Sequence, residues 1–364
     1  MIIGNEHFFS FFTTAAKIQL SPSLPILVDS VFGWLVSGTA NVTHDSNQSV
    51  AAISLVSLEE SLQRFWEVEE LPAQTHYTTN ERLCEEHYLA TVSKNSDGRY
   101  IVQLPRQHDF DEKIGETKAR TLRRYNLLEK RLHSNPTLRD EYNKFMSEYL
   151  TLGHMRLIQN KDDHVYKQCF LPHHPVLKEA STMTKVRVVF DASARTSSGF
   201  SLNDALHIGP VVQEELLTIV LRFRTYPVAL VADIEKMYRQ IILHPKDTPF
   251  QRILWRFDEN EPIQTYELQT VTYGLSPSSF LATRTLIQLA IDEGESYPIG
   301  APALKKGFYV DDFIGGTQTV EEAILLRDEL NSLLAKAGFT LRKWTSNKSE
   351  VLHGLASDRI NTHT

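Results

Sequence analysis

Two adjacent acids, Asp311 and Asp312, lie between short apolar runs at residues 307–310 and 313–316, an order that few folds accommodate. Apolar runs of this length bury as strands, and side chains alternate faces along a strand, so the segment reads as a hairpin with its carboxylates at the turn. Carboxylates held this close repel each other unless a proton or a cation sits between them. A divalent metal, which takes hard oxygen ligands, is the usual answer. Solvated turns also carry acid doublets, so the pair gains meaning only from a partner elsewhere in the chain.

Asp233 is that partner. Residues 228–242 read VALVADIEKMYRQII, an apolar strand that ends on the acid and passes into polar, helix-like sequence. Asp233, Asp311 and Asp312 make the minimal ligand set for a two-metal site, in which one ion activates an attacking oxygen and the other steadies the leaving phosphate oxygens. The predicted reaction class is phosphoryl transfer.

Seven blocks follow one another along the chain: LPHHPVLKEA from Leu171, KVRVVFDASA from Lys185, SLNDALHIGP from Ser201, ADIEKMYRQI from Ala232, TVTYGLSPSSF from Thr270, FYVDDFIGG from Phe308 and LRKWTSN from Leu341. Through them the chain resembles the polyprotein of Pao (BEL) retrotransposons. The resemblance implies an α+β fold, with the fingers and palm of a right-hand polymerase, an antiparallel sheet packed on helices, over residues 151–364. It places a small β-rich remnant of a retropepsin-like aspartic protease at 1–56 and a helical connector at 57–150, and leaves the thumb, ribonuclease H and integrase parts out of this chain. The implied activity is that of an RNA-directed DNA polymerase adding deoxynucleotides to a primer 3'-hydroxyl on an RNA or DNA template. Asp233, Asp311 and Asp312 would be both catalytic and metal-binding, with two Mg2+ ions, or Mn2+ in their place.

The same resemblance assigns nucleotide contacts. Lys185 and Arg187 alternate with Val186 and Val188, which puts both cations on one strand face where a triphosphate could be cradled. Arg187 matches the arginine that holds the triphosphate. Tyr238, five residues past Asp233, matches the aromatic that fills the space of a ribose 2'-hydroxyl and so selects deoxynucleotides. Gly274 would let backbone approach template or nucleotide closely; retroviral enzymes carry glutamine before this glycine, whereas Tyr273 stands here. Lys343 matches the lysine at the pyrophosphate leaving group, with Lys348 as the fallback.

The front of the chain reads differently. Residues 25–38 and 3–9 resemble the closing strands of a retropepsin-like protease, yet Asp29 is followed by Ser30 and Val31, and Asp45 by Ser46 and Asn47. Without the Asp-Thr-Gly or Asp-Ser-Gly triplet there is no carboxylate dyad, so this part is not expected to cleave peptides. Leu122, Tyr125, Leu128 and Leu132 recur at helical spacing, and a second helix after Pro136 carries Tyr142, Phe145, Met146 and Tyr149 on one face, as core rather than base-stacking surface. The cations between Lys118 and Arg131 suit either template contact or a solvated face balanced by Glu129. Thr319 and Glu322 form a capping box for a helix ending at Gly338, and Ser276 and Pro277 read as the cap and first residue of another.

Composition limits the partners. A net charge of −7 over 364 residues gives no global signature of nucleic-acid binding, which must rest on local patches. Cys84 and Cys169 lie in no CxxC pattern and suit free thiols in a reducing compartment. His173 and His174, between two prolines, read as a rigid turn into the fingers rather than half a zinc site. Neither a secretory leader nor a membrane span is expected, and the predicted location is intracellular and cytoplasmic. Other readings remain: a catalytically silent remnant that binds nucleic acid, a non-catalytic protease-derived structural fragment, and a two-metal nuclease, which would not need Tyr238 or the cations at 185 and 187.

Overall fold

The computed structural model describes residues 17–18, 26–30, 33–37, 77–159, 167–177 and 186–361. Lys185, Asp45, the protease-like residues 3–9 and the start of the connector at 57–76 lie outside the described residues. The chain divides into two compact units, Met1–Thr75 and His76–Thr364. In the first, β1 (Lys17–Ile18), β2 (Ile26–Ser30) and β3 (Gly33–Ser37) make an antiparallel sheet in that order, with strands inside the segment whose sequence reads as strands.

The second unit is a mixed α and β assembly of small sheets. Its first half comprises α1 (Thr79–Thr91), β4 (Ser93–Lys94), β5 (Tyr100–Val102), α2 (Phe110–Lys113), α3 (Lys118–His133), α4 (Pro136–Thr151), β6 (Met155–Leu157), β7 (His173–Leu177) and β8 (Val186–Phe190). The second half comprises α5 (Leu216–Phe223), β9 (Val228–Ile234), α6 (Met237–Gln240), β10 (Ile242–Leu243), β11 (Arg252–Trp255), β12 (Gln264–Leu268), α7 (Ser278–Asp292), α8 (Gly300–Lys306), β13 (Phe308–Tyr309), β14 (Asp312–Thr317), α9 (Val320–Ala335) and β15 (Leu341–Ser346). The sheets run β13-β14-β9-β15, β11-β12-β6, β10-β5-β4 and β7-β8. Among the described residues no helix is long and apolar enough to cross a membrane.

Local sequence sets the helix ends. Thr78 with Glu81, and Thr319 with Glu322, close reciprocal capping boxes on α1 and α9, satisfying backbone donors that the first turn leaves free. Asn135 accepts from the Leu138 N–H while Pro136 occupies the first turn of α4, where its missing N–H costs nothing. In α3 the buried stripe is Thr121, Tyr125, Leu128 and Leu132. Leu122, expected on that face, is 37% exposed, because a stripe through Tyr125 and Leu132 passes over position 121. Glu129 does not balance its own helix: it grips Arg256 beside β11 at 2.7 and 2.8 Å.

An aromatic core joins these layers. Tyr142 of α4 stacks on Trp255 of β11, ring centroids 5.1 Å apart, and Tyr125, Phe190 and His173 close around them. The expected turn at His173 is a strand. His173 opens β7, opposite Phe190 of β8, and is buried. Its Nδ1 faces the Tyr142 hydroxyl at 2.5 Å and its Nε2 the Leu254 carbonyl at 3.0 Å. Both nitrogens are thereby committed to the core.

Candidate metal centre

Strand β9 lies between β14 and β15, so the residue at its end faces both neighbours. Asp233 sits opposite Asp312 on one side and opposite Arg342 on the other. Burial alternates along β9, with Val228, Leu230, Ala232 and Ile234 inside; the same alternation turns Asp233 away from the core. Tyr309 pairs with Asp312, leaving Val310 and Asp311 as a two-residue hairpin turn. Asp311 is at that turn and Asp312 is the first residue of β14. Adjacent residues within a ladder would point to opposite faces, and the turn is what brings the two carboxylates together.

Asp233, Asp311 and Asp312 each offer a carboxylate oxygen, and these oxygens lie within 4.8 Å of one another. Burial pushes the Asp311 carboxyl above the ordinary range and the charge of Asp233 adds to it, while Lys343 and Arg187 pull the other way. Asp312 is raised by burial and by the charges of Asp311 and Asp233. Two carboxyls raised by burial and by neighbouring negative charge, beside a third carboxylate, present only oxygen donors and fit a hard divalent cation.

Backbone strain concentrates here. Among the described residues the non-glycine residues at positive φ are Lys236 at 52°, Val310 at 56° and Lys343 at 55°. Each is close in sequence or in the ladder to one of the three acids. For a β-branched valine the left-handed region is a genuine outlier, and such residues persist only where surrounding contacts fix them. Lys343 lies where the β15 ladder shifts register between Arg342 and Thr345. The bulge carries its ammonium to 3.0 Å from Asp233 Oδ2. Lys343, not Lys348, is therefore the lysine at the carboxylates.

The other predicted residues divide. Tyr238, in the short helix α6, packs on Tyr273 with ring centroids 4.7 Å apart. Both phenols are pushed up, first by burial and also by the charge of Asp311. Arg187 is exposed on β8 and acts electrostatically on Asp311 and Tyr273. The helix expected after Asp233 amounts to the four residues of α6.

Gly274, at φ +96°, lies against protein backbone: a Cβ there would clash with the Phe190 carbonyl oxygen. The glycine seats the Tyr273–Gly274 turn on the end of β8. Gly274→Ala is expected to cost about 2 kcal/mol of stability, from left-handed strain plus displacement of that carbonyl, read as a lower urea midpoint. One expectation needs correction: Ser276 is not the helix cap. Pro277 takes the N-cap position without a side-chain bond, and Ser276 donates its N–H to Asn203 Oδ1 at 2.8 Å. Asn203 also donates to the Gly274 carbonyl at 2.9 Å, so this asparagine, which lies in the block from Ser201 but has no role assigned from sequence, fixes the turn carrying Tyr273.

No protein-family model matches the chain, and none of the curated proteins matches it. Solved structures similar to it include a foamy viral protease-reverse transcriptase in complex with double-stranded DNA, 17% identical, TM-score 0.40, covering 53% of this chain and 28% of that one. A prototype foamy virus protease-reverse transcriptase mutant is 15% identical, TM-score 0.43, over 57% of this chain and 24% of that one. A foamy viral protease-reverse transcriptase in complex with an RNA/DNA hybrid gives 15%, 0.42, 57% and 24%. The chain thus spans about a quarter of the length of these proteins. The chemical reading rests on the residues themselves.

Proposed function

We propose that the second unit is the fingers and palm of a reverse transcriptase from a Pao (BEL) retrotransposon polyprotein, and that the first derives from its aspartic protease. The observation that carries this reading is the meeting of Asp233, Asp311 and Asp312 where the strands of one sheet end, with the charge of Asp311 acting on Tyr238 and Tyr273 and that of Arg187 acting on Asp311. Asp233, Asp311 and Asp312 would hold magnesium or manganese. The cation, when bound, supplies Lewis-acid activation of a primer 3'-hydroxyl and neutralisation of phosphate charge.

The chain's own residues do the rest. Arg187 can meet a triphosphate from the exposed face of β8, and its planar fork suits phosphate oxygens. Lys343, bonded to Asp233 through a mostly exposed side chain, can turn from the carboxylate to the leaving pyrophosphate. Tyr238 is held by packing on Tyr273, so its ring is a fixed wall that a sugar bearing a 2'-hydroxyl would strike. Phosphoryl transfer needs positioning and charge stabilisation more than covalent chemistry from the protein, and these groups supply both.

The test is magnesium-dependent extension of a primed RNA template with labelled deoxynucleotides. Extension supports the assignment; retained nucleic-acid binding without extension indicates a silent remnant, and release of mononucleotides a nuclease. Tyr238→Val is expected to raise ribonucleotide incorporation relative to deoxynucleotide by about a hundredfold, the scale on which a pocket rejects an extra hydroxyl. An unchanged ratio would remove Tyr238 from sugar selection.

A further inference from the structure

Val310 is the least comfortable residue of the carboxylate hairpin, and something must hold it. Its N–H donates to Gln213 Oε1 at 2.9 Å, a side chain 97 positions away on the loop that precedes α5. On the other side of the turn, the Asp311 carbonyl accepts from the Ile234 N–H at 2.8 Å. The loop is itself anchored: Glu214 pairs with Arg222 of α5 at 2.6 Å, and Arg222 donates to the carbonyl of Lys306, two residues before β13. One loop therefore ties the hairpin both at its turn and near its base.

We propose that Gln213 is a positioning residue for the carboxylate centre, holding Val310 in the left-handed conformation that aims Asp311 at Asp233. A valine at φ 56° is strained by about 1–3 kcal/mol and keeps that geometry only while its surroundings dictate it. Gln213 and Ile234 fix the polar groups on either side of the Val310–Asp311 peptide. With the glutamine removed, Val310 relaxes and carries the Asp311 carboxylate away from its partners. The inference rests on the reading of the three acids as a metal centre and adds to it a residue outside every sequence block that marks that centre.

Gln213→Leu keeps the bulk and removes the acceptor. The Mn2+ affinity of the full chain, followed by electron paramagnetic resonance, is expected to fall about tenfold, one lost hydrogen bond on the affinity scale. In primer extension kcat should fall while the deoxynucleotide KM stays put. In a Val310→Gly background the left-handed conformation carries no penalty, so adding Gln213→Leu is expected to change Mn2+ affinity by less than about twofold. Equal effects in both backgrounds would overturn the proposal, as would unchanged affinity in Gln213→Leu or loss of its folded circular-dichroism spectrum. If the parent binds no Mn2+, or Asp311→Asn binds it as well as the parent does, the metal-centre reading fails and the inference with it; tight parental binding together with an indifferent Gln213→Leu refutes the inference alone.

Discussion

Asp311→Asn is expected to leave the fold intact and to cut magnesium-dependent primer extension about a thousandfold, or about 4 kcal/mol of barrier. Asparagine has the shape of aspartate, so the two-residue turn and the Ile234 bond to the Asp311 carbonyl survive. What disappears is one of three converging charges. In the metal-free protein that loss is favourable. Burial and the charge of Asp233 raise the folded pKa of Asp311 above its ordinary value of 3.8, so the folded state binds this proton more tightly than the unfolded chain does. The stability contributed by the group is full below 3.8 and is lost as pH rises through the folded value; at neutral pH the charged carboxylate opposes folding. With a chelator at pH 7, the melting temperature of Asp311→Asn should match or exceed that of the parent, and the difference should shrink in acid. A variant that extends primers as well as the parent would sink the catalytic assignment, and one that melts lower would show that Asp311 is chiefly structural.

The second large effect lies away from the centre. Burial holds His173 down to about 4 from an ordinary 6.5, with the charge of Arg124 contributing. The imidazole is neutral in the core: Nε2–H donates to the Leu254 carbonyl and Nδ1 accepts from the Tyr142 hydroxyl, and a protonated ring cannot accept. Between pH 6.5 and 4 the unfolded chain takes up a proton that the folded chain refuses, so stability falls with pH across that window, by roughly 3 kcal/mol for this residue. His154, also held down to about 4, first by burial and then by Arg239, acts in the same window. In urea titrations from pH 7 to 4, His173→Phe is expected to be less stable than the parent at neutral pH and to lose less on acidification, with a slope shallower by one proton. Parallel curves would show that His173 does not control the acid response.

The two predictions differ in how visible their residues are in the sequence. Asp233 and the Asp311–Asp312 pair stand out because charged residues interrupt apolar strands, a cost that only function or metal binding offsets, and period-two alternation shows which way Asp233 faces. The helices around Tyr125 and Tyr142 are equally plain from their periodicity, and the Thr319–Glu322 capping box marks one helix start. His173 misled for a specific reason. Flanking prolines signal a turn through local backbone preference, but β7 is held by pairing with β8 and by two buried hydrogen bonds to its histidine, and tertiary contacts outweigh propensity. At Gly274 the glycine announces a close approach but not what approaches, and only the structure shows the Phe190 carbonyl against it.

From the sequence alone came the identity of the acids, the strands that carry them and the chemistry they could perform, because these depend on residue type and on spacing within one element. Only the tertiary structure decided that Lys343 turns to Asp233, that Asn203 fixes the Tyr273 turn, and that Gln213 holds Val310 in a strained conformation. Each of these is set by one or two hydrogen bonds or an ion pair between segments roughly seventy to a hundred and ten positions apart. No periodicity or motif encodes such a contact, since its free energy exists only once the fold has brought both partners together.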